Sequence, residues 1–82
     1  IKFNEKISNK TFVITGKLSE FTRLEIRDMI SEFGGINSEI INSKTDYLLL
    51  GEKAGSKLEK ANKLNIQIIS ESQFINLIEK EK

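Results

Sequence analysis

The chain has 82 residues, of which 38% are hydrophobic and 30% charged, and this length suits one domain with one small core. It contains no cysteine and no histidine, which excludes disulfides and the usual zinc sites, and no apolar run approaches the roughly 20 residues that span a bilayer. The formal net charge is +1, so any attraction for nucleic acid must come from local clusters of basic residues.

Both ends of the chain are predicted to lie outside the domain. Residues 1–9 are polar and aperiodic apart from Ile1, Phe3 and Ile7, and they indicate a linker or a loosely docked arm. The domain is predicted over residues 10–80, with a frayed charged end at 81–82. The lack of cysteine fits an intracellular protein, and the start at Ile1 rather than at methionine suggests a piece of a longer protein.

The first two elements are a strand and a helix. Thr11–Thr15 holds three consecutive apolar residues, as in a strand that is covered on both faces. Thr22–Phe33 predicts a helix, because Thr22 and Glu25 form a T-x-x-E capping box at its start. Its apolar stripe has the spacing i, i+3, i+4, i+7 and consists of Ile26, Met29, Ile30 and Phe33. Gly34-Gly35 ends it, one glycine suiting a left-handed cap.

The remaining predicted elements are three strands and two helices. Two more capping boxes, Ser56–Glu59 and Ser70–Gln73, predict helix starts. The predicted elements are a strand at Ile36–Ile40, a turn at Asn42–Asp46, a strand at Tyr47–Leu50, a helix from Ser56 to about Leu64 that buries Leu58 and Ala61, a strand at Ile66–Ile69, and a helix from Ser70 that buries Phe74, Leu77 and Ile78.

The order of elements, βαββαβα, predicts an α/β fold with helices packed on a mainly parallel sheet. The link 41–46 between the second and third strands is too short for a parallel crossover, which needs a dozen or more residues. If both strands are parallel, they are therefore not neighbours, and the first strand lies between them.

The end of the first strand is the best candidate for a binding site. Thr15 offers a hydroxyl, Gly16 a backbone N–H with no Cβ in the way, and Arg23 a guanidinium at a helix N-terminus, and all three favour an anion such as phosphate. Lys17 lies in the same loop, and Lys57 lies in the first turn of the second helix, where an anion would relieve the clash with the helix dipole.

Each of these residues also has a purely structural interpretation. Thr15-Gly16 is compatible with a simple strand end and turn, and Lys57 with an ordinary surface lysine near Glu52 and Glu59. Arg23 and Arg27 share a helix face, which a solvated cationic stripe would also explain. With no histidine, no cysteine and no recognisable nucleophile–base pair, an autonomous enzyme is not expected.

Taken together, these features resemble a BRCT domain over residues 10–80. The segments that carry the resemblance are TFVITGKL at Thr11–Leu18, Arg23, Phe33-Gly34-Gly35, SKTDYLLLGEKAGSKLEKA at Ser43–Ala61 and IISESQF at Ile68–Phe74. Within the family, the run Thr45–Ala61 is most similar to the C-terminal BRCT domain of bacterial NAD-dependent DNA ligases, and the clamp-loader large subunit carries a similar domain.

The resemblance implies a four-stranded parallel sheet in the order 2-1-3-4, with the first and third helices on one face and the second on the other. It also implies that Thr15, Gly16, Arg23 and Lys57 match the positions at which phosphate-binding BRCT domains hold a phosphoserine or a 5′-phosphate DNA end. Two features differ from the family pattern: Phe74 stands where a tryptophan is usual, and the chain has one domain where phosphopeptide readers generally have two.

The function that the resemblance implies is non-catalytic. The module would assist a DNA ligase in binding nicked or 5′-phosphorylated DNA, weakly and without sequence preference, during replication and repair. It would use no cofactor itself, while NAD, magnesium and zinc would belong to other domains of the parent enzyme. Expected partners are DNA and those domains, with no membrane, and the expected location is the cytoplasm at the nucleoid. The alternative is a protein–protein or interdomain docking module.

Overall fold

The computed structural model describes residues 4–52 and 55–79 and contains seven elements. In chain order they are β1 (Thr11–Thr15), α1 (Arg23–Glu32), β2 (Ile36–Ser38), β3 (Tyr47–Leu50), α2 (Ser56–Lys63), β4 (Gln67–Ser70) and α3 (Glu71–Glu79). Among these residues, no helix has both the length and the apolar character needed to cross a membrane. The predicted frayed end at 81–82 lies outside the described residues.

The four strands form one parallel sheet in the order β2-β1-β3-β4. β1 therefore separates β2 from β3, as the short link between them predicts. Asp46 holds the end of that link against the start of β1, since Thr11 N–H donates to Asp46 Oδ2 (2.7 Å) and Asp46 N–H donates to Thr11 O (2.9 Å). The predicted topology is confirmed.

Apolar side chains fill both sides of the sheet. One core lies under α1 and α3 and includes Phe12, Ile26 and Phe74, all with no exposed surface. The other lies under α2 and includes Val13 and Ala61. α1 and α3 therefore share one face and α2 covers the other, because successive strand residues point to opposite faces. Phe74 meets Phe12 edge to face at 5.7 Å, so an aromatic contact persists without the larger tryptophan.

The capping predictions are confirmed for two helices. Thr22 Oγ1 accepts from Glu25 N–H, and Glu25 Oε1 accepts from Thr22 N–H. The same reciprocal pair joins Ser70 and Gln73 before α3. Gly34 follows the C-cap residue of α1, Phe33, and has φ +75, the left-handed conformation that the sequence predicts there.

Three boundaries differ from prediction. β4 spans Gln67–Ser70 rather than Ile66–Ile69. Ser56 does not cap α2, because Gly55 takes the N-cap position and Ser56 is already helical. β2 ends at Ser38 rather than at Ile40, because the Ser38 hydroxyl bonds the backbone of Ile40 and turns the chain away from the sheet.

The prediction of a loosely held N-terminal arm is wrong for Asn4–Asn9. Asn4 and Ile7 have no exposed surface, and Ile7 belongs to the core under α1 and α3. Asn4 Nδ2 donates to Leu77 O (3.0 Å), and Ser8 Oγ donates to Phe33 O (2.6 Å). These six residues tie the ends of α1 and α3 together and belong to the folded unit.

Candidate phosphate site at the sheet edge

The segments that follow β1 and β3 touch along their backbones. Lys17 N–H donates to Glu52 O and Glu52 N–H donates to Lys17 O, both at 2.8 Å. Gly16 has φ +79, and a Cβ on Gly51 would lie 2.6 Å from the Lys17 carbonyl oxygen. Glycine is therefore needed at both positions. α1 and α2 leave from this point to opposite faces, which makes it the switch point where open α/β sheets place their ligands.

Arg23 lies against the end of β1, as the sequence predicts. It is the first residue of α1, its side chain is exposed, and its Nη2 donates to the carbonyl oxygen of Gly16 at 3.3 Å. A neutral carbonyl holds the guanidinium in place without cancelling its charge. The positive end of the α1 dipole adds to that charge, so an anion beside Gly16 and Arg23 would be stabilised.

Thr15 and Lys57 belong to the opposite face of the sheet. Strand alternation places Thr15 on the face of Val13, which packs with α2, and Thr15 is only 5% exposed. Lys57 is half-buried in the first turn of α2, where Gly55 has no side chain to cap the free N–H groups. Both residues are thus near the end of the sheet that carries Gly16, and their joint contact with a phosphate stays a prediction.

Lys17 and Arg23 line different cavities. Lys17 borders a cleft of about 280 Å³ at the carboxyl ends of β3 and β4, whereas Arg23 borders a small cavity between α1 and β2. Three carboxylates share the cleft with Lys17, namely Glu20, Glu52 and Glu71. An anion is therefore less favoured at Lys17 than at Arg23, because like charges repel it.

Glu71 stabilises the loop between β1 and α1, a role that sequence reasoning missed. Its carboxylate accepts hydrogen bonds from Ser19 N–H (2.8 Å), Ser19 Oγ (3.1 Å), Glu20 N–H (3.1 Å) and Phe21 N–H (3.1 Å), although these donors are 50 to 52 residues away. Burial alone would raise the pKa of Glu71. The hydrogen bonds favour the ionised form and together hold the pKa below its ordinary value.

The groups at this end of the sheet are suited to binding an anion. They are the Arg23 guanidinium, the Lys57 ammonium, the Gly16 backbone and the N-termini of α1 and α2, all of which suit phosphate oxygens. Within residues 4–52 and 55–79, no three carboxylates gather closely enough to hold a metal ion. The β1–α1 loop, which begins at Gly16 and leads to Arg23, is fixed by the Lys17–Glu52 backbone pair and by Glu71.

The parallel sheet in the order 2-1-3-4, with two helices on one face and one on the other, defines the architecture implied by the sequence resemblance. The family model of the BRCA1 C Terminus (BRCT) domain matches residues 3–78, and the chain belongs to this family. That match includes residues 4–9, in agreement with their packing against the core.

Curated relatives place the chain more narrowly. It is 48% identical over 77 residues to a DNA ligase of Thermosipho africanus, and 50% identical over 76 residues to a DNA ligase of Acetivibrio thermocellus. These alignments cover 94% and 93% of this chain and 12% of each relative. A DNA ligase of Neisseria gonorrhoeae is 44% identical over 92% of the chain and 9% of its own length. The chain therefore spans about a tenth of the length of the relatives that it matches.

Proposed function

We propose that this chain is the non-catalytic BRCT module of a bacterial NAD-dependent DNA ligase and helps the enzyme to hold nicked DNA through backbone or 5′-phosphate contacts. The contact from Arg23 to Gly16 O carries the proposal, because it leaves a charged guanidinium exposed beside the switch point of the sheet. The similarity to relatives named DNA ligase supports that context. The module would act in the cytoplasm at the nucleoid, in replication and repair.

The proposed division of labour places adenylation and sealing in other parts of the parent protein. NAD, magnesium and zinc would be bound there. This module would add one set of phosphate contacts through Thr15, Gly16, Arg23 and Lys57, with Lys17 in a lesser role because of its carboxylate neighbours. Such contacts read no base, so binding would be independent of sequence.

A DNA titration tests the proposal. Fluorescence anisotropy of a nicked, 5′-phosphorylated duplex is measured against the isolated domain at about 50 and about 150 mM salt. Neutralising about two to four phosphates predicts a slope of log K against log salt of roughly −1.8 to −3.6, which is about a 7- to 50-fold loss of affinity between these concentrations. No salt-dependent binding at tens of micromolar protein contradicts the proposal.

Alanine variants identify the contact surface. The triple change of Thr15, Arg23 and Lys57 to alanine removes the proposed ligands, and Lys63→Ala in the last turn of α2 is the matched control. We expect the triple variant to lose most of the salt-dependent binding and the control to retain it. Equal binding by both variants would favour docking over phosphate capture.

The alternative function is docking on a protein surface, either another domain of the parent or a partner. Exposed apolar side chains around β2 favour it: Leu24 is 65% exposed, Ile36 53% and Ile40 71%. β2 is also an edge strand, with one side free of a partner strand within the described sheet. If the triple variant leaves the ligase's affinity for DNA unchanged while Ile40→Lys impairs ligation, docking is the main role.

A further inference from the structure

A groove between α1 and β2 contains an arginine that the proposed phosphate site does not use. Two adjoining cavities form this groove, one of about 300 Å³ and one of about 40 Å³, and Arg27 and Asn37 line both. Arg23 lines the smaller one. The groove therefore continues from the proposed site along α1 towards the β2 edge.

The side chains of Arg27 and Asn37 each have a polar group without a partner. The Arg27 guanidinium is exposed and makes no hydrogen bond or ion pair with the residues that the structure describes. Asn37 Oδ1 is buried and has no hydrogen-bond donor. A buried acceptor without a donor is unfavourable. Arg27 is the cationic donor that lines both cavities together with Asn37.

The pairing of Arg27 with Asn37 would repeat the arrangement at Arg23. There, the carbonyl oxygen of Gly16 holds the guanidinium and leaves its charge uncancelled. The amide oxygen of Asn37 is also a neutral carbonyl, so it would orient Arg27 without cancelling its charge. Two oriented guanidinium groups would then follow each other along one side of α1.

We propose that Arg27, oriented by Asn37, binds a second phosphate next to the one at Arg23 on the same DNA strand. This inference rests on the proposed function. Residues four apart on a helix have Cβ atoms about 5–6 Å apart, a spacing that long side chains can match to neighbouring phosphates of one strand. The strand would run along the α1–β2 groove and away from the cleft where Glu20, Glu52 and Glu71 surround Lys17.

Two carboxylates border the groove and oppose the phosphate. Glu39 lines the smaller cavity with Arg23 and Arg27, and Asp28 lines the larger one with Arg27. Glu39 is exposed, and no ion pair within the described residues joins it to either arginine. Its removal should therefore strengthen DNA binding, an effect opposite in sign to that of removing Arg27.

The test measures affinity and salt slope for a 5′-phosphorylated nicked duplex with Arg27→Gln, Arg23→Gln, Glu39→Gln and the control Lys63→Gln. We expect Arg27→Gln to weaken binding about 3- to 10-fold and to make the slope shallower by about 0.9, the value for one phosphate contact. Glu39→Gln should strengthen binding about two-fold, and Lys63→Gln should change neither quantity.

A double-mutant cycle tests the role of Asn37. If Asn37 acts through Arg27, Asn37→Ala weakens binding in the wild type but has no further effect in the Arg27→Gln background. The amide ¹H–¹⁵N spectrum of each variant shows whether the fold is kept. Additive losses would mean that Asn37 does not position Arg27.

The outcomes separate the two proposals. If the wild type binds and Arg23→Gln weakens binding while Arg27→Gln leaves affinity and slope unchanged, the second phosphate contact is refuted and the proposed function stands. If the wild type shows no salt-dependent binding, both are refuted. If Arg27→Gln lowers the affinity for DNA but leaves the salt slope unchanged, the proposal that Arg27 contacts a phosphate is also refuted.

Discussion

Replacing Glu71 by glutamine should destabilise the domain, because one carboxylate holds the whole loop between β1 and α1. Glutamine keeps a single carbonyl oxygen and puts an NH₂ group against amide N–H donors, so at least one pair of the hydrogen bonds from Ser19, Glu20 and Phe21 is lost. Hydrogen bonds to charged groups contribute about 1.5–3 kcal/mol each.

The expected loss lies at or just below the lower end of the sum for two such bonds, which is about 3–6 kcal/mol. Ser19 and Glu20 are exposed residues, so water can take over part of the bonding that their N–H groups lose. We therefore expect the free energy of unfolding to fall by about 2–3 kcal/mol. For a domain of this size each kcal/mol moves Tm by about 4–8 °C, so Glu71→Gln should lower Tm by roughly 10–20 °C.

The effect should depend on pH with a definite sign. The pKa of Glu71 in the folded state is below its ordinary value of 4.5. Its stabilisation is therefore fully present above about pH 4.5 and is lost as the pH falls through the folded-state pKa. The difference in unfolding free energy between wild type and Glu71→Gln should be largest near neutral pH and should shrink in acid.

Urea denaturation at a series of pH values provides the measurement, with Glu59→Gln as a control because Glu59 is an exposed first-turn carboxylate of α2. The control should change stability by no more than about 0.5 kcal/mol at any pH. Equal stability of Glu71→Gln and wild type at pH 7, or a difference that stays constant down to pH 3, would refute the role assigned to the Glu71 carboxylate.

Two further substitutions test the packing. Gly51→Ala should cost about 2–4 kcal/mol in chemical denaturation, because its Cβ would lie 2.6 Å from the Lys17 carbonyl oxygen, whereas Gly55→Ala meets no atom within 4 Å and should cost less than about 1 kcal/mol. Similar values for both glycines would contradict the close contact. Ile7→Ala should lower the free energy of unfolding by about 2–5 kcal/mol, since Ile7 is fully buried in the core, and the exposed neighbour Lys6→Ala should be nearly neutral. A negligible cost for Ile7→Ala would restore the idea of a loosely held arm.

Local signals in the sequence predict most of the fold. The capping boxes at Thr22 and Ser70 involve partners three residues away, so the sequence alone reveals them. The box at Ser56 failed because Gly55 took the N-cap position instead. The sheet order followed from a length argument and from the family resemblance.

The missed features all depend on contacts between distant parts of the chain. Glu71 reads as an ordinary first-turn residue of a helix, and nothing nearby shows that its partners lie 50 residues earlier. Asn4 likewise bonds Leu77 across almost the entire chain. In the candidate site, Arg23 and Gly16 are seven residues apart, so the sequence predicts that they lie close together, although not the hydrogen bond from Arg23 to Gly16 O. The groove shared by Arg27 and Asn37 is formed by tertiary packing.

The anchoring of the β1–α1 loop by Glu71 has a consequence for synthesis. A ribosome makes Gly16 and Arg23 long before it makes Glu71, so the emerging chain carries this loop without its clamp. The loop can take its final shape only once β4 and the start of α3 have left the exit tunnel. Nascent chains that stop before Glu71 should therefore keep this segment open to proteases, even where β1 and α1 have already formed.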